Sequence, residues 1–231
     1  MILKPYELAK VKNNMDFFLF YGKNDGLKSQ LVKELLKENI EESVFRYEEK
    51  EILDKKETFF ENALSSSLFD NYKIFVINRC SDKIHELILD LFERQIKDLK
   101  VVIICELLDK KSKLRKIFER EKKLACIPTY PDTNEILSQF ALTFFRNHKI
   151  SISQQDVNLI ITKCSGDRIN LENELEKIKN YLKEKKKIST EELLKLINLS
   201  ENHSWSELID NCLAKNTFKT VNILNDNNFT N

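Results

Sequence analysis

The sequence predicts an α/β protein: a parallel sheet with flanking helices, followed by a small all-helical domain and the start of a further helical domain. Three observations predict it. Up to Pro131 the chain alternates apolar runs such as FFLFY, IFVI and VVII with helix-periodic segments, and strands apolar on both sides belong to a parallel sheet covered on both faces. After Pro131 such runs stop and capped, 3.6-periodic segments follow one another. Glycine occurs 3 times in 231 residues, which leaves few backbone positions for wrapping a phosphate.

The first strand is FFLFY, residues 17–21. It feeds into Gly22-Lys23-Asn24-Asp25-Gly26-Leu27-Lys28-Ser29, and a helix over residues 28–38 follows with Leu31, Val32, Leu35 and Leu36 on one face. A second strand covers residues 43–47. A short helix at 57–64 leads through Ser65-Ser66-Ser67-Leu68-Phe69-Asp70 to a third strand at 73–78. A helix over 84–96 returns to a fourth strand at 100–105, and a helix over 112–121 precedes a short fifth strand at 124–127. Tyr130-Pro131 then closes an α/β domain of residues 1–131. Asp132 and Glu135 stand at capping-box spacing ahead of a helix ending near Asn147, and Ser153 opens a second helix that runs through Lys163. Leu171, Leu175, Ile178 and Leu182 stripe a third helix, and Ser189 and Glu192 cap a fourth, which completes a lid-like helical domain of residues 132–198. Residues 199–231 hold two more helices, at 205–213 and 218–224. Two helices close no core of their own, so this segment reads as the beginning of a third domain cut short, or as a docking segment.

Composition sets the class. At 42% hydrophobic and 32% charged residues, the chain is a globular protein with one sizeable core or two smaller ones. No run of about 18 apolar residues exists, and Met1-Ile2-Leu3-Lys4-Pro5 lacks the basic and apolar regions of a leader. The expectation is a cytoplasmic protein with no membrane partner. Cys80, Cys105, Cys126, Cys164 and Cys212 are spaced neither as a zinc site nor as a disulfide framework, and no metal or cofactor is expected. With a net charge of +1, any nucleic-acid binding must come from a local patch.

Residues 22–29 have the outline of a phosphate loop without its chemistry. Such a loop needs glycine just before its lysine, so that successive N–H groups can wrap a β-phosphate. Here Leu27 holds that place, Gly26 is one residue early, and Asp25 adds negative charge. Lys28 and Ser29 keep their spacing from Gly22, which leaves a weak nucleotide contact open as an alternative. A RecA-like α/β domain with a phosphate-loop position, followed by a helical domain, is the layout of an AAA+ ATPase. The third strand of such an enzyme ends in acidic residues that hold magnesium and prepare water. Here it ends in Asn78-Arg79, and arginine neither binds magnesium nor acts as a base. Both losses describe a structural AAA+ module; the other reading is a sheet that is no nucleotide fold at all.

Four segments carry a resemblance: FFLFYGKNDGLKSQL, SSSLFDNYKIFVI, LLDKKSKLRKIFE and SGDRINLENELEKIKNYL, together spanning residues 17–197. In order and spacing the chain resembles the delta subunit of bacterial DNA polymerase III, the clamp-loader subunit that opens the sliding clamp. The most specific piece is Asn173-Glu174-Leu175-Glu176-Lys177. The resemblance implies an AAA+ fold without ATPase machinery, a helical second domain and a helical collar, of which residues 199–231 are the beginning. It implies no catalysis by this chain, within a DNA-directed DNA polymerase holoenzyme that is a nucleotidyltransferase. Its implied partners are the sliding clamp (the beta subunit), the clamp-loader ATPase and delta-prime subunits, and primed DNA. Leu68 and Phe69 match the leucine-phenylalanine pair that the family inserts into a pocket of the clamp, supported by the preceding helix with Phe59 and Phe60. Read without the resemblance, the same pair covers the domain's own core, although Ser65-Ser66-Ser67 is turn-prone enough to lift it outward.

One segment is strongly basic. Lys110, Lys111, Lys113, Arg115, Lys116, Arg120, Lys122 and Lys123 stand against Asp109, Glu119 and Glu121. Either Lys110, Lys113 and Lys116 track DNA phosphates, or they are the solvated face of a helix whose Leu114, Ile117 and Phe118 point inward. Lys183 and Lys185 to Lys187 read as a solvated helix end. His85, His148 and His203 have no partners at ligand spacing. Arg168 falls near the place of a nucleotide-sensing arginine and reads as a remnant or a salt-bridge partner. Beside the clamp-loader subunit stand a weak or regulated AAA+ ATPase using Lys28 and Ser29, and a generic interaction scaffold.

Overall fold

The computed structural model describes residues 1–36, 44–65, 73–183, 185–197 and 205–226. They divide into two compact units, Met1–Pro131 and Asp132–Asn231. After a 3-10 turn at Pro5–Glu7, the first unit runs α1 (Leu8–Val11), β1 (Phe17–Tyr21), α2 (Asp25–Leu36), β2 (Val44–Glu48), α3 (Glu49–Asp54) and α4 (Lys56–Leu64). It continues with β3 (Lys73–Cys80), α5 (His85–Glu93), β4 (Leu99–Cys105), α6 (Lys113–Arg120) and β5 (Leu124–Pro128).

The five strands form one parallel sheet in the order β2-β3-β4-β1-β5. Side chains of a strand alternate between faces, which explains why FFLFY is buried throughout. Phe17, Leu19 and Tyr21 join one core with Ile52 of α3, Phe59 of α4, Leu87 and Leu91 of α5, and Leu114 and Phe118 of α6. Phe18 and Phe20 join the opposite core with Leu8 of α1 and Leu31, Val32 and Leu35 of α2. Full burial of each such side chain contributes about 1.5–3 kcal/mol. At one edge, the N-terminal residues pair with β5 through Leu3 N–H to the Cys126 carbonyl (2.9 Å) and Cys126 N–H to the Met1 carbonyl (3.0 Å). At the other edge β2 exposes Arg46, a charge that disfavours pairing with another strand.

Several boundaries differ from the expected ones. The helix expected from residue 28 begins at Asp25, because the Asn24 side-chain oxygen accepts the Leu27 N–H at 2.9 Å. Asp25, Gly26 and Leu27 therefore lie in its first turn and not in a loop. β3 runs on past Asn78 to Cys80, with a register shift between Ile77 and Cys80. The helix expected over 84–96 is a 3-10 turn at Asp82–Ile84 followed by α5, and Gln95 takes a positive φ of 47° just beyond it. α1 and α3 have no counterpart in the expected elements.

The second unit consists of α7 (Asn134–Asn147), α8 (Gln154–Lys163), α9 (Arg168–Leu182), α10 (Thr190–Leu196), α11 (Trp205–Leu213) and α12 (Thr217–Asp226). Leu137, Ala141 and Phe145 of α7 pack with Val157 and Ile160 of α8, Leu171, Leu175 and Ile178 of α9, and Leu193 of α10. Thr133, Ser153, Asp167 and Ser189 are the N-caps of these helices. Thr133, not Asp132, thus caps α7. α11 and α12 contact each other, and Leu208 and Ile223 are buried. The expected break at residues 198–199 lies outside the described residues.

Candidate functional site

The parallel register brings the exit of β1 beside the ends of β4 and β5, with Tyr21 opposite Cys105 and Pro128. Gly22 follows directly. Its N–H donates to the Glu106 carbonyl at 2.7 Å, and its φ is +138°. A Cβ at this position would lie 2.1 Å from the Thr129 carbonyl oxygen. Gly22 is therefore needed for the close passage of β1 past the end of β5, with or without a phosphate.

Lys28 turns inward. Its ammonium donates to the Gly22 carbonyl at 2.8 Å and the Cys105 carbonyl at 3.1 Å, and pairs with the Asp25 carboxylate at 2.7 Å. An ammonium has three donors, so the chain itself fills them. Gly26 is buried, Leu27 half-buried, and Ser29 exposed on α2.

A cleft of about 410 Å³ joins this turn to the end of β3, lined by Asp25, Lys28, Glu48, Asn78, Arg79 and Glu106 among others. Both sequence-derived positions, the phosphate-loop residues and Asn78-Arg79, thus meet in one place. Its charge is wrong for a polyphosphate: three carboxylates face two cations, one of them committed to Asp25. Arg79 sits in the left-handed region at φ 52°, with its side chain 86% exposed and 3.7 Å from Glu48. Asn78 is half-buried beside it.

On α6, Asp82 fills the N-terminal end. It accepts from the Ser112 hydroxyl (2.6 Å), the Leu114 N–H (2.8 Å) and the Lys113 N–H (3.1 Å). That end is no open anion site. Arg115 is drawn inward, bonded to Glu119 at 2.7 Å and to the Leu108 carbonyl at 3.1 Å, and stacked 4.8 Å from the Tyr21 ring centre. Lys110, Lys113 and Lys116 are exposed, with no ion pair among the described residues. Leu114 and Phe118 are fully buried.

Leu68 and Phe69 lie outside the described residues. The elements on either side of them are described. Phe59 of α4 is buried against Tyr47 and Phe75 at 5.2 and 5.3 Å between ring centres, and Phe60 lies beneath the Arg94 guanidinium at 4.7 Å. Leu64, in the last turn of α4, is 53% exposed. Lys73, the first residue of β3, reaches back to the end of that helix, bonding the Asn62 carbonyl and the Ser65 hydroxyl at 2.8 Å each. Sequence reasoning missed both residues. For Leu64 the signal was present, since it directly precedes the serine run.

The remaining candidates are structural. Arg168 forms a two-pronged ion pair with Asp132 at 2.7 and 3.1 Å, both side chains buried, and stacks 4.7 Å from the Phe140 ring centre. Burial pushes the Cys126 and Cys164 thiols up to about 12, which makes them poor nucleophiles at neutral pH. Among the described residues no group of three or more His, Cys, Asp or Glu side chains is placed to hold a metal.

The parallel sheet in the order β2-β3-β4-β1-β5, with helices packed on its two faces and a helical unit following in the chain, is an α/β fold of AAA+-like architecture. The backbone is similar to that of the Bacillus subtilis DNA clamp loader delta protein YqeN, with a TM-score of 0.62 and 14% identity over 96% of this chain and 70% of that one. It is also similar to the Thermotoga maritima RuvB Holliday junction branch migration motor, with a TM-score of 0.56 and 13% identity over 91% of this chain and 74% of that one. No family model and no curated protein matches the sequence.

Proposed function

We propose that the chain is a non-catalytic, delta-type subunit of a DNA clamp loader, which binds the ring-shaped sliding clamp and favours its open form. The observation that carries this reading is Lys28: in an AAA+ fold, the lysine that would hold phosphate is held by Gly22, Cys105 and Asp25 of its own chain. A domain so arranged works by binding. The likeness to a clamp loader delta protein over 96% of the chain supports the assignment to that assembly, as do the four segments that resemble the delta subunit.

The mechanism is a population shift. A closed ring under tension has an open minor state, and a ligand with higher affinity for that state populates it by the difference in affinity, with no bond made or broken. Leu68 and Phe69 are the proposed apolar anchors. Burying them in a pocket of the clamp supplies about 3–6 kcal/mol before the costs of association. Clamp-loader ATPase and delta-prime subunits are the proposed neighbours, and Lys110, Lys113 and Lys116 the proposed contacts to primed DNA.

A titration of the purified chain against the sliding clamp tests the reading. Changing Leu68 and Phe69 together to alanine is expected to weaken binding at least tenfold, about 1.4 kcal/mol, with the thermal melt preserved. Unchanged affinity in a folded double variant would remove the pair from the interface. A melt that collapses would place the pair in the core, where truncation of each costs about 2–5 kcal/mol. Absence of clamp binding by the unaltered chain would overturn the proposal itself. Phosphate release from ATP that disappears in Lys28→Ala would favour the ATPase reading instead.

A further inference from the structure

α11 and α12 form a helical hairpin with a well-specified turn. At the end of α11 the Asn216 N–H donates to the Asn211 carbonyl at 3.0 Å and the Lys215 N–H to the Cys212 carbonyl at 3.1 Å, with Lys215 at a φ of 55°. That pair of bonds is a Schellman closure. The Asn216 side-chain oxygen then accepts the Lys219 N–H at 3.2 Å and caps α12. The chain thus turns back within residues 214–216, α12 runs antiparallel to α11, and the helices contact each other with Leu208 and Ile223 buried.

Five other apolar side chains of the hairpin face water. Ile209, Leu213, Phe218, Val221 and Leu224 are exposed, Leu213 and Phe218 at 78% each. From buried Leu208, a turn of about 100° around α11 reaches Ile209 and about 140° reaches Leu213; from buried Ile223, a turn in the same sense around α12 reaches Leu224 at about 100° and Val221 at about 160°. Around antiparallel helices, the same sense of rotation from a shared seam leads to the same side of the pair. Phe218 stands one turn before Val221. Lys219 and Asn222 fall on the opposite side, and no acidic or basic residue of either helix occupies the apolar arc. The exposed parts of the five side chains come to roughly 600 Å², as much as a monomer leaves open in one patch and close to the 800 Å² or so that each partner gives to a stable interface. Among the described residues no element covers this face.

We propose that it joins two copies of this chain about a two-fold axis, hairpin on hairpin, as a four-helix bundle. Two helices close no core, whereas four do. A face that is apolar and uncharged meets its own copy without opposing like charges, and a net charge of +1 sets little repulsion between chains. The proposal does not rest on the clamp-loader reading, and its test needs no clamp.

Sedimentation equilibrium of the full chain, from about 1 to 200 μM, is expected to give the mass of two chains at the upper end. Phe218→Glu and, separately, Val221→Glu place a charge in the face. Each is expected to weaken the dimer at least tenfold while the thermal melt moves by a few degrees at most, because both side chains are already exposed. Leu107→Glu, which charges an exposed apolar residue of the first unit, is expected to leave the dimer unchanged. Should a glutamate variant melt early, Leu213→Ala with Phe218→Ala gives the same reading through helix-favouring changes, again with at least tenfold weakening expected. The mass of one chain at every concentration would overturn the proposal. So would unweakened association in folded variants of the face, which would move the interface elsewhere, or an equal loss in Leu107→Glu, which would make the association non-specific. A mass that climbs past two chains would overturn the two-fold arrangement.

Discussion

The Lys28 side chain is 5% exposed and its ammonium meets two carbonyls and one carboxylate, while the Asp25 side chain that carries that carboxylate is 71% exposed. The two halves of the ion pair therefore contribute unequally. Removing the ammonium strands the Gly22 and Cys105 carbonyls at the junction of β1 and β4, and an unsatisfied buried acceptor costs about 1–3 kcal/mol. Removing the Asp25 charge deletes an interaction with a solvated carboxylate, worth about 0–1 kcal/mol. Denaturant unfolding should show Lys28→Met losing about 2 kcal/mol and Asp25→Asn less than about 1 kcal/mol. An equal or reversed order would mean that Lys28 is not a structural donor and that the turn is free to take a ligand. The same site shows what sequence spacing reveals and what it hides. The lack of a glycine just before Lys28 was visible, but the inward turn of its side chain was not, because it depends on carbonyls at Gly22 and Cys105 that only the parallel register brings together.

At the scale of an element, α6 depends on a residue 30 positions before its cap, Ser112. Burial pushes the Asp82 carboxyl up, but hydrogen bonds from the Ser112 hydroxyl and the Leu114 and Lys113 N–H groups outweigh it and hold the group below its ordinary value of 3.8. A carboxylate whose folded value is depressed stabilises the fold above its unfolded value, and that stability is lost as pH falls through the folded value. Asp82→Ala should therefore cost about 1–2 kcal/mol at neutral pH. Its deficit against the unaltered chain should shrink below about pH 4, a window that denaturation curves at several pH values resolve. A deficit that is constant with pH would assign the effect to packing instead. Such long-range caps, like Lys73 on α4, are invisible in sequence because donor and acceptor belong to different elements. The three central strands were legible for the opposite reason: FFLFY, IFVI and VVII are apolar at every position, so no alternation of faces had to be guessed. α3 escaped because EKEILD buries only Ile52. Its helical state is set by packing under the sheet and not by a face that periodicity can show.

For the molecule as a whole, the fold does not settle the function, since a similar α/β backbone serves both a clamp loader delta protein and a branch migration motor. Charge separates the remaining possibilities better than shape. A net charge of +1 gives the chain no long-range field to draw in DNA, so any contact with primed DNA has to be a local, counterion-releasing one. Within the basic segment, Arg115 and Arg120 are engaged by Glu119 and Glu121 at 2.7 and 3.0 Å, whereas Lys110, Lys113 and Lys116 face solvent. If those three lysines meet phosphates, each releases roughly one counterion. Replacing all three with alanine should then reduce the slope of log affinity against log salt by about 2–3. The change should be alike for primer-templates of unrelated sequence, because phosphate contacts carry no base information. The measurement is a set of fluorescence titrations of a labelled primer-template at several salt concentrations, alongside a melt of each protein. The solvated-face reading makes the opposite claim: the slope stays where it is and the melt barely moves, since exposed lysines on α6 and in the turn before it contribute little to folding. An unchanged slope in the triple variant would therefore remove these three lysines from the DNA path, while leaving the clamp-binding proposal, which depends on other residues, intact.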